Sequence, residues 1–320
     1  MSISVNDIRF YKATVNSDAA GNGGRISATR ITTNVLNNLF PNISSAERTA
    51  GVTRYRKAFV RNYNAGDFEF QNVKTWIDVK STAEDHFQIK AGTDIDVQSG
   101  LSGNWYGVGI LNAAVGSGET ELVVDYDTNS GVVNGMTLYL DDGTNTAEVL
   151  VNAAVSWGGN QATISISGEV GVVFDTPGDC VVSSVLDLGD VVASSDSWVE
   201  ASSSGTYDET TYPVTIYNVG TVTDSWTITF SNSNSFSCAG SNTGSIGSGE
   251  ITSDFSPANG SSYYFSVDSD GWGGTWAAGE TVTFNTVHAG KSIWFKEVVP
   301  AGAGSYASNV LTLGWTGESA

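Results

Sequence analysis

Between Lys90 and Lys291 the chain contains no lysine and no arginine. Phosphate binding needs clustered cations, so most of this 320-residue chain has no means of holding nucleic acid, and only the first 90 residues carry enough base to attempt it. Nucleic acid is therefore not an expected partner. Histidine is limited to His86 and His288, and there is no G-x-S-x-G elbow, H-E-x-x-H, C-x-x-C or phosphate-cradling glycine loop. Those absences remove the hydrolase, metalloprotease, redox and nucleotide chemistries that such motifs carry. Cys180 and Cys238 are too few for a disulfide framework; the expectation is two separate buried thiols, with a single bridge between them as the alternative. No stretch approaches the roughly 20 apolar residues of a membrane helix, so no membrane partner is expected. The opening MSISVNDIRF lacks the basic and apolar regions of a secretory signal, which points to synthesis in the cytosol.

What the chain does have is a division of charge. Twelve of its 14 basic residues fall in residues 1–90 against eight acids, about +4, while the rest carries two bases and 26 acids, about −24, giving −20 in all. A basic segment joined to an acidic, Gly/Ser/Thr/Val-rich remainder suggests one end that docks and another that faces solvent, because strong negative charge resists non-specific association. With 40% apolar residues the chain can bury a real core, and its length suits two or three domains better than one.

Short alternating runs broken by Gly, Asn, Asp and Ser read as strands almost throughout. The expected fold is all-β: two or three small β-sandwich or barrel-like domains in series, with an Ig-like or jelly-roll C-terminal domain and a short N-terminal arm with little helix. Residues 1–50 read as the arm: one strand from Ile8, the polar stretch NSDAAGNGG from Asn16 to Gly24 as a flexible loop that packs on a neighbour, and a short helical turn within 31–48. In that turn Val35, Leu36, Leu39 and Phe40 form an apolar face before Pro41. Residues 51–106 read as a hairpin region completing an anchoring domain, 107–189 as a second β domain and 190–320 as a C-terminal sandwich. The sandwich's core candidates are Trp226, Phe230, Phe265, Phe284, Trp294 and Trp315.

Three groups of residues attract functional readings. Arg54, Arg56, Lys57 and Arg61 crowd eight residues of a strand in which Tyr55, Lys57, Phe59 and Arg61 share one side and Arg54, Arg56, Ala58 and Val60 the other. They read either as a docking patch for an acidic neighbour or as charge that protects a strand edge. In the loop DSDGWGGTW, Trp272 and Trp276 suggest stacking on a sugar ring or wedging into a protein groove, against plain core packing. Asp268 and Asp270 in the same loop, like Asp94 with Asp96, Asp125 with Asp127 and Asp141 with Asp142, resemble fragments of calcium loops. None continues into a twelve-residue EF-hand, so Ca2+ is the only cofactor to weigh and a solvated turn the simpler reading. Acids are spread through every loop without a singled-out pair, so no catalytic residue is named and no enzyme is expected.

The segment LNNLFPNISSAERTAGVTRYRKAFVRN, the later VNGMTLYLDDGTNTAEVLV and the terminal IWFKEVVPAGAGSYASNVLTLGWTGES together resemble structural proteins of tailed bacteriophage virions. The resemblance touches both ends and the middle and carries no catalytic signature. It implies a many-copy β protein without a cofactor, made in the host bacterial cytoplasm and located in the virion, whose partners are other virion proteins and further copies of itself. With no long spine helix and no α/β core, the chain fits a head decoration, collar or tail-associated role better than the shell subunit. The alternative expectation is a receptor-binding tail or baseplate protein that holds a host surface glycan with Trp272 and Trp276; a polysaccharide hydrolase ranks third.

Overall fold

A computed structural model describes residues 2–307 and 309–320. Strands occupy 49% of the chain and helices 5%, so the protein is all-β. Its first unit is a base made from both ends of the chain. One antiparallel sheet runs in the order Gly23–Ile31, Ile8–Val15, Val52–Asn62, Gly290–Val299, His86–Ala91. Against it packs a layer in which Phe70–Val79 pairs with Thr312–Ser319 on one side and with Val181–Val191 on the other. Ala58, Val60, Ile293 and Phe295 from the first layer meet Val73, Ile77 and Leu186 from the second in one buried core. Alternation places these residues on the inner faces, and removal of their apolar area from water holds the layers together.

The second unit is a closed barrel. Val181–Val191 leaves the base and its first residues pair with both Val108–Leu111 and Thr137–Asp141. Between those two strands the circuit runs through Glu121–Tyr126, Gln161–Ser167 and Thr146–Val151, so six strands close on themselves. Every second residue of Glu121–Tyr126 and of Gln161–Ser167 points inward, and Leu122, Val124, Leu138, Leu140, Ile164, Phe174 and Cys180 fill the interior. Closure leaves the barrel without a free edge.

The third unit is a sandwich. Its five-stranded sheet runs Ser194–Ala201, Thr281–Val287, Asp224–Phe230, Ser235–Gly240, Gly244–Glu250. Short pairs, Gly205–Tyr207 with Trp272–Gly274 and Ala258–Asn259 with Ser262–Tyr263, accompany it, and Trp226, Phe230, Phe265 and Phe284 lie in its core. Cys180 and Cys238 are buried free thiols in separate cores, and burial pushes both up to about 12.

Four expectations change. The boundary at residue 190 does not hold to the end of the chain, because Gly290–Val299 and Thr312–Ser319 return to the base. Trp315 accordingly packs on the base core, and Trp294 is buried beside Lys57. Alternation shows that such runs are strands but not which strand each will pair with. The stretch from Asn16 to Gly24 is no free arm: Asn22 is fully buried and donates from Nδ2 to the Tyr55 carbonyl at 2.8 Å, while Asp18 reaches Arg56. Finally, the helix begins later than expected, at Ser45–Ala50, where Ser44 and Glu47 form a capping box. Asn34 and Asn37 adopt left-handed backbone (φ 61° and 57°) that breaks a helix over 32–41, leaving Val35 and Leu36 exposed while Leu39 and Phe40 pack on the base core.

Candidate functional site

The four clustered bases sit on Val52–Asn62, a strand with neighbours on both edges and cover on both faces. Arg54, Arg56 and Lys57 are 2%, 2% and 1% exposed. Arg54 forms an ion pair with Glu297 at 2.6 Å and donates from Nη1 to the Pro41 carbonyl at 3.0 Å. Arg56 donates from Nη1 to Asp18 at 2.6 Å and to the Ser17 carbonyl at 2.9 Å. Lys57 pairs with Asp96 at 2.6 Å and donates to the Gly24 carbonyl at 2.8 Å. Burial lowers the Lys57 ammonium from its usual range, and Asp96 partly offsets that. These bases are therefore internal ties rather than a docking patch. Each fastens a loop to the central strand, and a buried charge needs such a partner to remain charged.

Arg61 has a different task. Its Nη2 donates to the carbonyls of Asn218, Val219 and Thr221 at 3.2, 2.8 and 3.1 Å, which joins the base to the sandwich. Arg25 adds a bond to the Thr223 carbonyl at 3.1 Å, and Asp67 accepts from the Asn218 amide at 2.7 Å. On the same side His288, 1% exposed, lies 3.0 Å from Asp94. Burial raises the Asp94 carboxyl, but its hydrogen bond and charge interaction with His288 outweigh this and leave it lowered. Three of the four clustered bases are thus turned inward, Arg61 is half-buried, and the remaining bases of residues 1–90 are half-buried or, at Arg30, exposed.

Trp272 and Trp276 are core residues and present no platform. Trp276 is 1% exposed and stacks on Phe230 at 4.2 Å and 7°; Trp272, half-buried, packs edge-on to Trp276 at 5.5 Å and to Tyr207 at 4.8 Å. Gly205 makes this possible by close approach, since a Cβ there would stand 2.3 Å from the Trp276 indole. Asp268 caps the short turn that leads into Trp272, accepting from the Asp270 amide at 2.9 Å, while the neighbouring Ser269 is held by Asp254. The other acidic pairs are likewise engaged by nearby donors: Asp96 by Lys57 and Trp294, Asp125 by Asn112 and Gln161, Asp127 by Lys80, and Asp142 by the amides of Thr144 and Asn145. Among the described residues no three His, Cys, Asp or Glu side chains converge as a metal-binding group.

No family model, curated protein or solved structure matches the chain. A cleft of about 270 Å³ opens on the sandwich beside Asp196, Trp198 and Glu209, residues that sequence reasoning passed over. The only signal in the sequence was a lone tryptophan in the polar run SSDSWVEA, and neither the cleft nor its second wall from 209–214 is visible at that level.

Proposed function

We propose that this protein is a non-enzymatic structural component of a tailed-phage virion, present in many copies as a head decoration, collar or tail-associated subunit. The observation that carries the reading is the way the chain is threaded. Both ends lie in the base, and the other two modules are inserted into it, the barrel between His86–Ala91 and the middle of Val181–Val191, the sandwich between Val191 and Gly290. Asn62 marks the second insertion: its side chain donates to the Val191 carbonyl at 3.4 Å and its backbone amide to the Ala289 carbonyl at 2.9 Å, so the chain leaves and returns at one residue. A base locked by both termini and by buried ion pairs suits a building block that anchors other modules to a particle. The resemblance of the three quoted segments to tailed-phage structural proteins favours the same reading, with other virion proteins and further copies of the chain as partners.

The anchoring chemistry differs from that expected of a basic docking patch, because the clustered bases are engaged internally. The contacts available to a neighbour are exposed strand edges such as Gly244–Glu250, the exposed Val35 and Leu36, and an acidic surface that favours a basic partner. The test is localisation by immunogold labelling and cryo-electron microscopy on virions purified from the host that makes this chain. Repeated label on the head, neck or tail is the expected result; absence from purified particles overturns the proposal.

A further inference from the structure

The cleft on the sandwich is built by a local irregularity. In the pairing of Ser194–Ala201 with Thr281–Val287, Asp196 stands opposite Asn285, but the next partner of Thr283 is Val199, so one extra residue is inserted. The bulge contains Ser197, a non-glycine residue in left-handed backbone at φ 58°. Bulges and strained residues of this kind re-aim side chains, often beside binding sites. Here alternation is broken between Asp196 and Trp198. Asp196 stays next to Asn285, whose Nδ2 donates to it at 2.9 Å, while Trp198 turns toward the sandwich, stacking on Phe284 at 5.2 Å and packing against Tyr207 at 4.6 Å. The Trp198 indole N–H donates to Glu200 at 3.2 Å, which fixes the ring.

The resulting cavity of about 270 Å³ has an apolar part formed by Trp198, Val214 and Phe284 and a polar part formed by Asp196, Glu209 and Thr210. No lysine or arginine lines it. Phosphates, uronates and other anions are therefore opposed by the two carboxylates and by the −20 charge of the chain. The polar groups are chiefly acceptors, so a fitting ligand presents several donors together with an apolar patch. The volume lies just below the roughly 300–1,000 Å³ of typical small-molecule sites and suits a single sugar ring. A pyranose meets all three conditions: hydroxyl donors around its rim, C–H groups on its face, and no charge. A lysine or arginine head fills less of the volume, and its attraction to two solvent-exposed carboxylates is screened by salt.

We propose that this cleft binds a neutral pyranose, with the apolar wall of Trp198 and Val214 against C–H groups of the ring and Asp196, Glu209 and Thr210 accepting from its hydroxyls. Asn285 already holds Asp196 in place, so a ligand bonding to it costs little reorganisation, whereas ordering the exposed Glu209 costs side-chain entropy.

The experiment uses the whole chain. Immobilised neutral mono- and disaccharides (glucose, galactose, mannose, rhamnose, N-acetylglucosamine and their dimers) are screened for binding, and a free sugar that binds is titrated calorimetrically. Saturable binding is expected, weakened about tenfold or more by Glu209→Gln and by Asp196→Asn, each of which removes a charge-assisted hydrogen bond. Both substitutions lie outside the core, so the variants are expected to melt at the wild-type temperature, and Trp198→Phe is expected to weaken binding while keeping the contact with Phe284. About 0.5 M sodium chloride is expected to leave the affinity unchanged. No saturable binding to any sugar of the panel overturns the proposal, as does binding that the Asp196→Asn/Glu209→Gln double variant retains. Preferential binding of a lysine- or arginine-containing peptide, abolished by salt, overturns the ligand class.

Discussion

At the scale of the residue, the four bases decide how the N-terminal sequence is understood. Reversing Arg54, Arg56, Lys57 and Arg61 to glutamate is expected to prevent folding rather than merely incorporation into a particle, since it leaves Glu297, Asp18 and Asp96 facing buried like charges. Far-UV circular dichroism of the soluble fraction checks this; a folded quadruple variant sinks the internal-tie account. Glu297 gives a finer prediction. Burial raises its carboxyl, with Arg54 pulling the other way, and the balance leaves it at about 7 against an ordinary 4.5. Between those values the folded chain holds a proton that the unfolded chain has released, so this group's contribution to stability falls as pH rises through the window. Glu297→Gln stays neutral, so its stability relative to wild type is expected to improve from pH 5 to pH 7 by up to about 1.4 kcal/mol per unit, read from denaturant midpoints. Arg54→Met is expected to cost about 3–5 kcal/mol at pH 8 and less at pH 5, where Glu297 takes up a proton.

At the scale of the element, the sandwich depends on one carboxylate and one glycine. Asp224, 4% exposed at the start of Asp224–Phe230, accepts from Ser241 Oγ at 2.7 Å, the Asn242 amide at 3.0 Å and the Thr243 amide at 2.8 Å. It thereby holds the turn between Ser235–Gly240 and Gly244–Glu250. Burial raises this carboxyl, but the bonds from Thr243, Ser241 and Asn242 outweigh it and leave it well below the usual 3.8. Its contribution is therefore present above about pH 4 and is lost as pH falls below that. Asp224→Ala is expected to destabilise the sandwich by about 2–3 kcal/mol at pH 7, with a smaller deficit at pH 3, measured by chemical denaturation. Gly205→Ala places a methyl against the immobile Trp276 and is expected to cost about 1–3 kcal/mol; an unchanged melting temperature contradicts the packing described.

At the scale of the whole molecule, the threading predicts that the two inserted modules are not equally removable. Replacing residues 192–289 with a short linker is expected to leave the base and barrel folded, because the sandwich gives no strand to the base sheets and its two connections meet at Asn62. Ending the chain at residue 289 is expected to destroy the base, because it removes Gly290–Val299 from between Val52–Asn62 and His86–Ala91, together with Thr312–Ser319. Resistance to limited proteolysis and a cooperative melt in the first variant, and insolubility in the second, are the outcomes to measure.

The all-β class, the alternating strands and much of the sandwich core are legible in the amino-acid sequence, because the period of two and the turn residues are local properties of each run. It also showed that Arg54, Arg56, Ala58 and Val60 share a face, as alternation requires. What covers that face depends on long-range pairing. Glu297 lies 243 residues from Arg54, and Asn218 lies 157 from Arg61, separations at which no local pattern names a partner. For the same reason Trp276 and Trp294 became core residues of different units, and the concavity beside Trp198 exists only where Ser194–Ala201 and residues 209–214 meet. Strand character follows from short-range sterics and patterning, whereas burial, charge pairing and clefts follow from which distant strands come together.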